Sequence, residues 1–233
     1  WTHQQGQEYL ALLTSGKVSD TFANCSVLTS NPKALDVSSR ELVDKIIDHP
    51  KTIGSWDVVC GPAFGAVSLA GAVAWNSGTD NSIFTEPVYG IDHLASDNLP
   101  TKVAKIGQEL KRFEIPDGSR VLIVEDVVTT GKSTKQTINA LLKYKEESGV
   151  NFIILQVIGC LVNRSGSSSV DLSEFDNESV PSKLEIVSLA EINARVWDTI
   201  EDAQNDLPEV VEAIRPKGNW GQLTNEDFRT CYG

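Results

Sequence analysis

Two adjacent carboxylates and a run of small, hydroxyl-bearing residues are the groups most able to do chemistry. Glu125 and Asp126 follow the apolar residues 121–124 and precede TTGKS, residues 129–133, where a segment typical of a helix begins. The N–H groups and hydroxyls of such a turn, at the positive end of a helix dipole, bind anions such as phosphate. The carboxylates would repel phosphate, but they suit the hydroxyls of an attached polyol or a divalent cation. A sugar phosphate satisfies both halves of this pattern.

The elements around this pattern alternate between apolar runs and helical segments. Uninterrupted apolar runs are typical of strands buried on both faces of a parallel sheet, and they occur at 56–61, 81–86, 120–126, 152–162 and 184–189. Helices are predicted at 38–49, 64–76, 133–148 and 190–204. This order predicts an α/β fold with an open, mainly parallel twisted sheet flanked by helices. In such sheets ligands bind beyond the carboxyl ends of strands, where Glu125 and Asp126 lie.

Composition argues against several classes of protein. The chain of 233 residues, with 40% hydrophobic and 22% charged residues, is typical of globular proteins, and we expect a single domain over 1–233. Its net charge of -12 disfavours nucleic-acid binding. The sequence has no run of about 18 to 20 apolar residues and no signal-peptide pattern in residues 1–10, so we expect a cytoplasmic protein without membrane contact. We expect the scattered cysteines to be reduced and structural: Cys25, Cys60, Cys160 and Cys231.

The stretch VLIVEDVVTTGKS, residues 121–133, resembles the phosphoribosyl pyrophosphate motif of type I phosphoribosyltransferases. The resemblance implies that fold, with a small N-terminal hood over about 1–35, and it implies Mg²⁺ as cofactor and a homodimer. Glu125 and Asp126 would then hold the ribose hydroxyls and contact the metal indirectly, while residues 129–133 wrap the 5'-phosphate. The substrate-binding residues implied on this motif are Glu125, Asp126, Val127, Val128, Thr129, Thr130, Gly131, Lys132 and Ser133.

Two further stretches resemble parts of the orotate branch of that family. LLTSGKVSDTFANCS, residues 12–26, is similar to the segment that contributes to the base-binding hood, although Thr14 stands where many of those enzymes have Lys. CGPAFGAVSLA, residues 60–70, is similar to the pyrophosphate loop, in which glycines let backbone N–H groups approach a diphosphate. The substrate-binding residues implied by these two stretches are Ser15, Gly16, Phe22, Ala63, Phe64 and Gly65.

Arg164 carries the prediction of the acceptor base. CLVNRSG, residues 160–166, resembles the strand end at which orotate enzymes fix the orotate carboxylate with an arginine. A guanidinium fork matches a planar carboxylate with two charge-assisted hydrogen bonds. Because purine bases have no carboxylate, we expect orotate and phosphoribosyl pyrophosphate as the substrates. A purine phosphoribosyltransferase and a non-catalytic regulator that binds phosphoribosyl pyrophosphate are the alternatives.

The segment 87–109 is long and has little periodicity, which predicts a mobile loop that closes over the site. The orotate enzymes carry their catalytic lysine in such a loop, and this resemblance implies Lys105, with Lys102 second, as catalytic residues beside Asp126. Thr101 and Gly107 replace the arginine and histidine that flank the family's paired lysines, so a loop without a catalytic lysine stays open. The small polar residues SGSSS, at 165–169, predict a flexible surface loop.

Overall fold

The computed structural model describes residues 2–13, 16–91, 103–216 and 219. The chain divides into two compact units, which we call the terminal unit (Trp1–Asn24 with Asn193–Gly233) and the central unit (Cys25–Ile192). In chain order the elements are β1 (Tyr9–Leu12), β2 (Val18–Ser19), α1 (Ser26–Thr29), α2 (Pro32–Asp48), β3 (Val58–Pro62), α3 (Val67–Ser77), β4 (Asn81–Ile91), β5 (Val103–Glu109), β6 (Ser119–Val128), α4 (Lys132–Ser148), β7 (Phe152–Asn163), β8 (Ser169–Asp171), β9 (Lys183–Glu191), β10 (Val196–Trp197), α5 (Ile200–Asp206) and β11 (Glu212–Ile214).

The central unit is built on a seven-stranded sheet in the order β5-β4-β3-β6-β7-β9-β8. The five inner strands, β4, β3, β6, β7 and β9, pair in parallel. The two edge strands, β5 and β8, pair with their neighbours in antiparallel fashion. The prediction of an α/β fold with a mainly parallel sheet is confirmed. The carboxyl ends of β3, β6 and β7 therefore lie side by side at one edge of the sheet.

Strand β6 shows why an unbroken apolar run forms a central strand. Val121 and Ile123 pack in one buried cluster with side chains of α4, while Leu122 and Val124 pack in a second cluster with side chains of α2 and α3. All four side chains are fully buried. Because successive side chains of a strand point to opposite faces, a strand between two layers of helices needs apolar residues at every position.

Three of the predicted helices form, with shifted ends. Helix α2 begins earlier than predicted, at Pro32, because the side chain of Asn31 accepts hydrogen bonds from the first N–H groups of the helix. The prediction of a helix over 190–204 is wrong in its first ten residues. Residues 190 and 191 complete β9, residues 196–197 form β10, and α5 begins only at Ile200. A capping box between Thr199 and Asp202 sets that start.

The segment 87–109 is a hairpin over its described part, which corrects the prediction of a loop. Strand β4 continues to Ile91, and β5 pairs with it in antiparallel fashion from Val103 to Glu109. Residues 92–102, which include Lys102, lie outside the described residues. The mobility of the segment stays a prediction.

The terminal unit has its own small core. Its four-stranded sheet has the order β10-β2-β1-β11, and Leu10, Val18, Ala203 and Val210 form a buried cluster. Asp20 accepts two hydrogen bonds from Arg195, at 2.9 Å from the backbone N and 2.8 Å from Nε. The predicted hood over about 1–35 thus corresponds only in part to this unit, which takes residues up to Asn24 and adds residues from the C-terminal part of the chain.

Among the described residues, no helix is both long and apolar enough to span a membrane. Cys25, Cys60 and Cys160 are buried and make no disulfide, while Cys231 lies outside the described residues. Burial raises the pKa of Cys60 to about 12, so this thiol stays protonated and unreactive at neutral pH.

Candidate functional site

The turn between β6 and α4 has the features of an anion site. Gly131, immediately before α4, has a φ of 72°, a left-handed conformation that glycine adopts without strain. A Cβ at this position would also lie 2.7 Å from Val170. Thr129 and Thr130 are exposed, and the first N–H groups of a helix have no partner within the helix. The turn 129–133, which we call the phosphate turn, therefore presents hydroxyls and helix N–H groups to a ligand.

The two adjacent carboxylates at the end of β6 differ in their surroundings. Glu125 is only 4% exposed, and its Oε1 accepts a hydrogen bond of 2.6 Å from Thr134 Oγ1. Burial raises the pKa of Glu125 to about 7, although the bond from Thr134 opposes the shift. Asp126 is half-buried, and its Oδ1 accepts a bond of 2.9 Å from the N–H of Val127. Asp126 is thus the carboxylate better placed to face a ligand.

The raised pKa of Glu125 predicts a pH-dependent stability. The folded state favours the protonated carboxyl, so the free energy of unfolding falls as pH rises from about 4.5 to about 7. The substitution Glu125→Gln keeps an oxygen for Thr134 but cannot ionise. We expect the variant to gain up to about 3 kcal/mol relative to the original protein across this range, measured by denaturant unfolding without ligand. Parallel stability curves for the two proteins would contradict the prediction.

The turn between β3 and α3 lies directly against Asp126. This turn, which we call the Gly65 turn, contains Ala63, Phe64 and Gly65, and the peptide bond between Ala63 and Phe64 is cis. A Cβ built on Gly65 would lie 2.5 Å from Oδ2 of Asp126, so a side chain at this position would displace the carboxylate. Gly65 itself is exposed. The structure therefore brings the predicted pyrophosphate loop next to the predicted ribose-binding carboxylate.

Strand β5 directs two polar residues toward the same side through a β-bulge. Consecutive residues of β4 pair with Lys105 and Gly107, so Ile106 is an extra residue in β5. Because side chains alternate along a strand, Lys105 and Gln108 would otherwise point to opposite faces, and the extra residue places them on one face.

Lys105 lies within electrostatic range of the phosphate turn. Partial burial of its amine lowers the pKa of Lys105, the charge of Glu125 opposes this shift, and the charge of Lys132 adds to it, although the residue as a whole remains largely accessible. The charge of Lys105 therefore interacts with Glu125 and Lys132 of the motif, and its catalytic role stays a prediction.

Gln108 connects β5 to the first turn of α4. It is 8% exposed, and its Nε2 donates a hydrogen bond of 3.3 Å to Ser133 Oγ. Its Oε1 accepts a bond of 3.1 Å from Thr137 Oγ1 and another from Thr85 Oγ1. Its amide is therefore held by hydroxyls from two neighbouring elements.

Arg164 lies where β7 ends beside β6. Its backbone N–H donates a hydrogen bond of 2.8 Å to the carbonyl oxygen of Val128, and its side chain is half-buried. The preceding Asn163 donates a bond of 2.8 Å to Ser167 O and accepts one of 2.7 Å from Ser165 Oγ. The serine-rich turn is therefore tied to the strand end, a feature that the prediction of a flexible loop did not include.

The structure describes the remaining predicted site residues only in part. Ser15 and Lys102 lie outside the described residues. Gly16, with a φ of 87°, and the half-buried Phe22 belong to the terminal unit, so their part in a base-binding hood stays a prediction. The side chain of Val128 is 1% exposed, so only its backbone can face a ligand.

A family model described as "Phosphoribosyl transferase domain" matches residues 27–174, which is more than half of the chain. The chain belongs to the phosphoribosyltransferase family. The match contains the phosphate turn, both carboxylates, Lys105 and Arg164.

Several curated relatives are named orotate phosphoribosyltransferase. The one from Thermoanaerobacter sp. is 39% identical over 134 residues, or 58% of this chain and 60% of that protein. The one from Thermotoga maritima is 31% identical over 183 residues, or 73% of this chain and 82% of that protein. The chain thus spans less than two thirds of the first relative's length. A solved orotate phosphoribosyltransferase from Aeropyrum pernix has a TM-score of 0.48 and 19% identity, covering 84% of this chain and 89% of that one, and this likeness is too distant to support a conclusion.

Sequence reasoning missed two residues of the candidate site. Thr134 and Gln108 are buried polar residues whose side chains bond to Glu125 and Ser133. Thr134 comes directly after the recognised motif, and a hydroxyl in the first turn of a helix is a signal that could have found it. Gln108 gives no such signal, because its partners come from separate segments of the chain.

Proposed function

We propose that the protein transfers the phosphoribosyl group of phosphoribosyl pyrophosphate to orotate, giving orotidine monophosphate and pyrophosphate. The observation that carries this proposal is the convergence of three strand ends, where Asp126 precedes the phosphate turn in the chain and lies against the Gly65 turn. The phosphate turn suits the 5'-phosphate, Asp126 suits the ribose hydroxyls, and the Gly65 turn suits the diphosphate. Relatives named orotate phosphoribosyltransferase support the same activity.

Arg164 supports orotate as the acceptor. It is half-buried and follows the strand next to β6, with its backbone bonded to the end of that strand. A carboxylate in a partly dry pocket needs a charged partner, and a guanidinium supplies two parallel hydrogen bonds. A purine base has no carboxylate for this fork to pair with.

The chemistry requires positioning and charge neutralisation rather than a protein nucleophile. A ring nitrogen of orotate gives up its proton to the released pyrophosphate or to solvent and forms a bond to the anomeric carbon, while the bond from that carbon to the diphosphate oxygen breaks. The bonding electron pair leaves with pyrophosphate, so negative charge grows on the leaving group. Holding both reactants in line accounts for part of the acceleration, and a cation beside the leaving group accounts for another part. Lys105, which lies near the phosphate turn, is the residue that we assign to the second task.

Mg²⁺ fits this site as an ion held largely by the substrate. In the described ranges, no group of three or more His, Cys, Asp or Glu side chains could hold a metal ion. Mg²⁺ commonly binds through one or two carboxylates together with substrate phosphates, and Asp126 beside the Gly65 turn offers such a carboxylate. Glu125 is less suited to direct contact because its pKa is raised to about 7. The ion would neutralise charge on the diphosphate.

The activity can be tested with orotate, phosphoribosyl pyrophosphate and Mg²⁺ by following the absorbance change of orotate. We expect turnover with orotate and none with hypoxanthine or adenine. Turnover with a purine base would instead support the purine alternative. Binding of phosphoribosyl pyrophosphate without turnover of any base would support the regulator. The homodimer stays a prediction from the family resemblance, and the cytoplasmic location stays a prediction from the sequence.

Asp126→Asn should weaken the binding of phosphoribosyl pyrophosphate by roughly tenfold to hundredfold. The strand end keeps its shape, but the ribose hydroxyls lose a charged acceptor. Calorimetric titration measures the affinity, and thermal unfolding verifies that the variant is folded.

Asp57→Asn is the matched control for that experiment. Asp57 accepts a hydrogen bond of 2.8 Å from Arg120 N near the start of β6, at the opposite end of the sheet. We expect this variant to bind phosphoribosyl pyrophosphate as the original protein does. An unchanged affinity in Asp126→Asn would remove Asp126 from the proposed ribose site.

A further inference from the structure

The oxygen and the nitrogen of the Gln108 side-chain amide each have a fixed hydrogen-bonding role. The amide oxygen accepts hydrogen bonds from Thr85 and Thr137, and the amide nitrogen donates to Ser133 Oγ at 3.3 Å. The residue is 8% exposed, and Thr85 and Thr137 are fully buried, so water does not compete strongly for these groups. An amide whose oxygen accepts two hydroxyl hydrogens can present only its N–H side to a third partner.

The consequence concerns the hydroxyl hydrogen of Ser133. A serine hydroxyl has one hydrogen to donate and lone pairs to accept with. Because the Gln108 amide donates to its oxygen, the hydrogen of Ser133 is not used in this contact. Ser133 is half-buried in the first turn of α4, where the helix N–H groups favour an anion. A hydroxyl that donates at this place stabilises bound phosphate.

We infer that Gln108 is a positioning residue that presents the Ser133 hydroxyl as a hydrogen-bond donor to the phosphate in the phosphate turn. This inference rests on the proposed function, since it assumes that the turn binds the 5'-phosphate of phosphoribosyl pyrophosphate. Gln108 also ties β5, the strand that carries Lys105, to the start of α4. It acts on the phosphate substrate through Ser133 and does not itself touch the reacting atoms.

The inference predicts different effects for two substitutions of Gln108, because one removes the hydrogen bond to Ser133 Oγ and the other reverses its direction. Gln108→Leu removes the donor to Ser133. Gln108→Glu keeps nearly the same shape and still accepts from Thr85 and Thr137, but its second oxygen attracts the hydrogen of Ser133 away from the phosphate and adds negative charge. We expect calorimetry to show phosphoribosyl pyrophosphate bound about tenfold more weakly by Q108L and about a hundredfold more weakly by Q108E.

If Gln108 only supported the fold, its substitution would affect the binding of both substrates, so the test also measures both Michaelis constants. The Michaelis constant for phosphoribosyl pyrophosphate should rise with the dissociation constant, while that for orotate changes less than about twofold. In a Ser133→Ala background, Q108L should cause no further loss, because the hydroxyl through which it acts is absent.

Ser119→Ala is the control for a lost buried hydroxyl, since Ser119 is 3% exposed and donates to Pro116 O at 2.6 Å near the start of β6. We expect that control to unfold more easily and to bind phosphoribosyl pyrophosphate normally.

Two failures can be told apart. If the original protein binds no phosphoribosyl pyrophosphate, the proposed function fails, and this inference with it. If the original protein binds it and the Gln108 variants bind it equally well, only the inference is overturned. Equal losses for both substrates, or the same loss from Q108L with and without the Ser133 hydroxyl, overturn it too. Should Q108L not fold, the nearly isosteric Q108E tests the inference instead, because the part of its loss that acts through the Ser133 hydroxyl should disappear in the Ser133→Ala background, and an equal loss in both backgrounds overturns the inference.

Discussion

Replacing Arg164 by alanine should raise the Michaelis constant for orotate by about 30-fold to several thousandfold, which corresponds to roughly 2 to 5 kcal/mol. In the proposed complex the guanidinium forms two charge-assisted hydrogen bonds with the orotate carboxylate, and its removal would leave that carboxylate partly buried without a partner. The constant for phosphoribosyl pyrophosphate should barely change, because its binding groups belong to other strand ends. Steady-state kinetics at fixed Mg²⁺ measure both constants.

Two further variants define what Arg164 supplies. Arg164→Lys keeps the charge but loses the planar fork, so we expect an intermediate loss. Arg40→Ala truncates an exposed arginine of α2 that pairs with Asp36, and it should change neither constant. An unchanged constant for orotate in Arg164→Ala would return the acceptor to the purine alternative, whereas equal losses for both substrates would indicate a folding defect.

The parallel strands and their order along the chain could be predicted because each is a local pattern. Strand β6 needs apolar residues on both faces, so its run from Val121 to Val124 identifies it without knowledge of its neighbours. The wrong prediction of a helix over 190–204 also came from a local pattern, because the spacing of apolar residues in β9 and β10 suits a helix as well. The capping pair of Thr199 and Asp202 was the local signal that marks the true start of α5.

The hairpin and the contacts of the site could not be predicted in the same way. Strand β5 is an edge strand whose alternation is broken by the extra residue Ile106, so its sequence has no period of two. The approach of Gly65 to Asp126 joins turns that follow different strands. The partners of Gln108 lie on β4 and α4. Motif resemblance located the phosphate turn, but only the folded chain shows which residues support it.

Lys105→Ala should lower kcat by about a hundredfold to a thousandfold with little change in either Michaelis constant. Negative charge on the leaving diphosphate is larger in the transition state than in the bound substrate, so a cation directed at it stabilises the transition state more. Lys105 is on the face of β5 that carries Gln108 and lies within electrostatic range of Glu125 and Lys132. Single-turnover and steady-state rates at saturating substrates measure the effect.

The matched control for Lys105 is another lysine of the same region. Lys111 follows β5, is half-exposed, and forms an ion pair of 2.5 Å with Glu109. Lys111→Ala should keep its kcat, since Glu109 already neutralises its charge, whereas Lys105→Arg should restore part of the rate lost in Lys105→Ala. Lys102→Ala completes the set. If its kcat falls while that of Lys105→Ala does not, the leaving-group cation is Lys102 and the role assigned to Lys105 is wrong. If neither kcat falls, the charge that develops on the diphosphate is met without a lysine from this segment, as Mg²⁺ alone would allow.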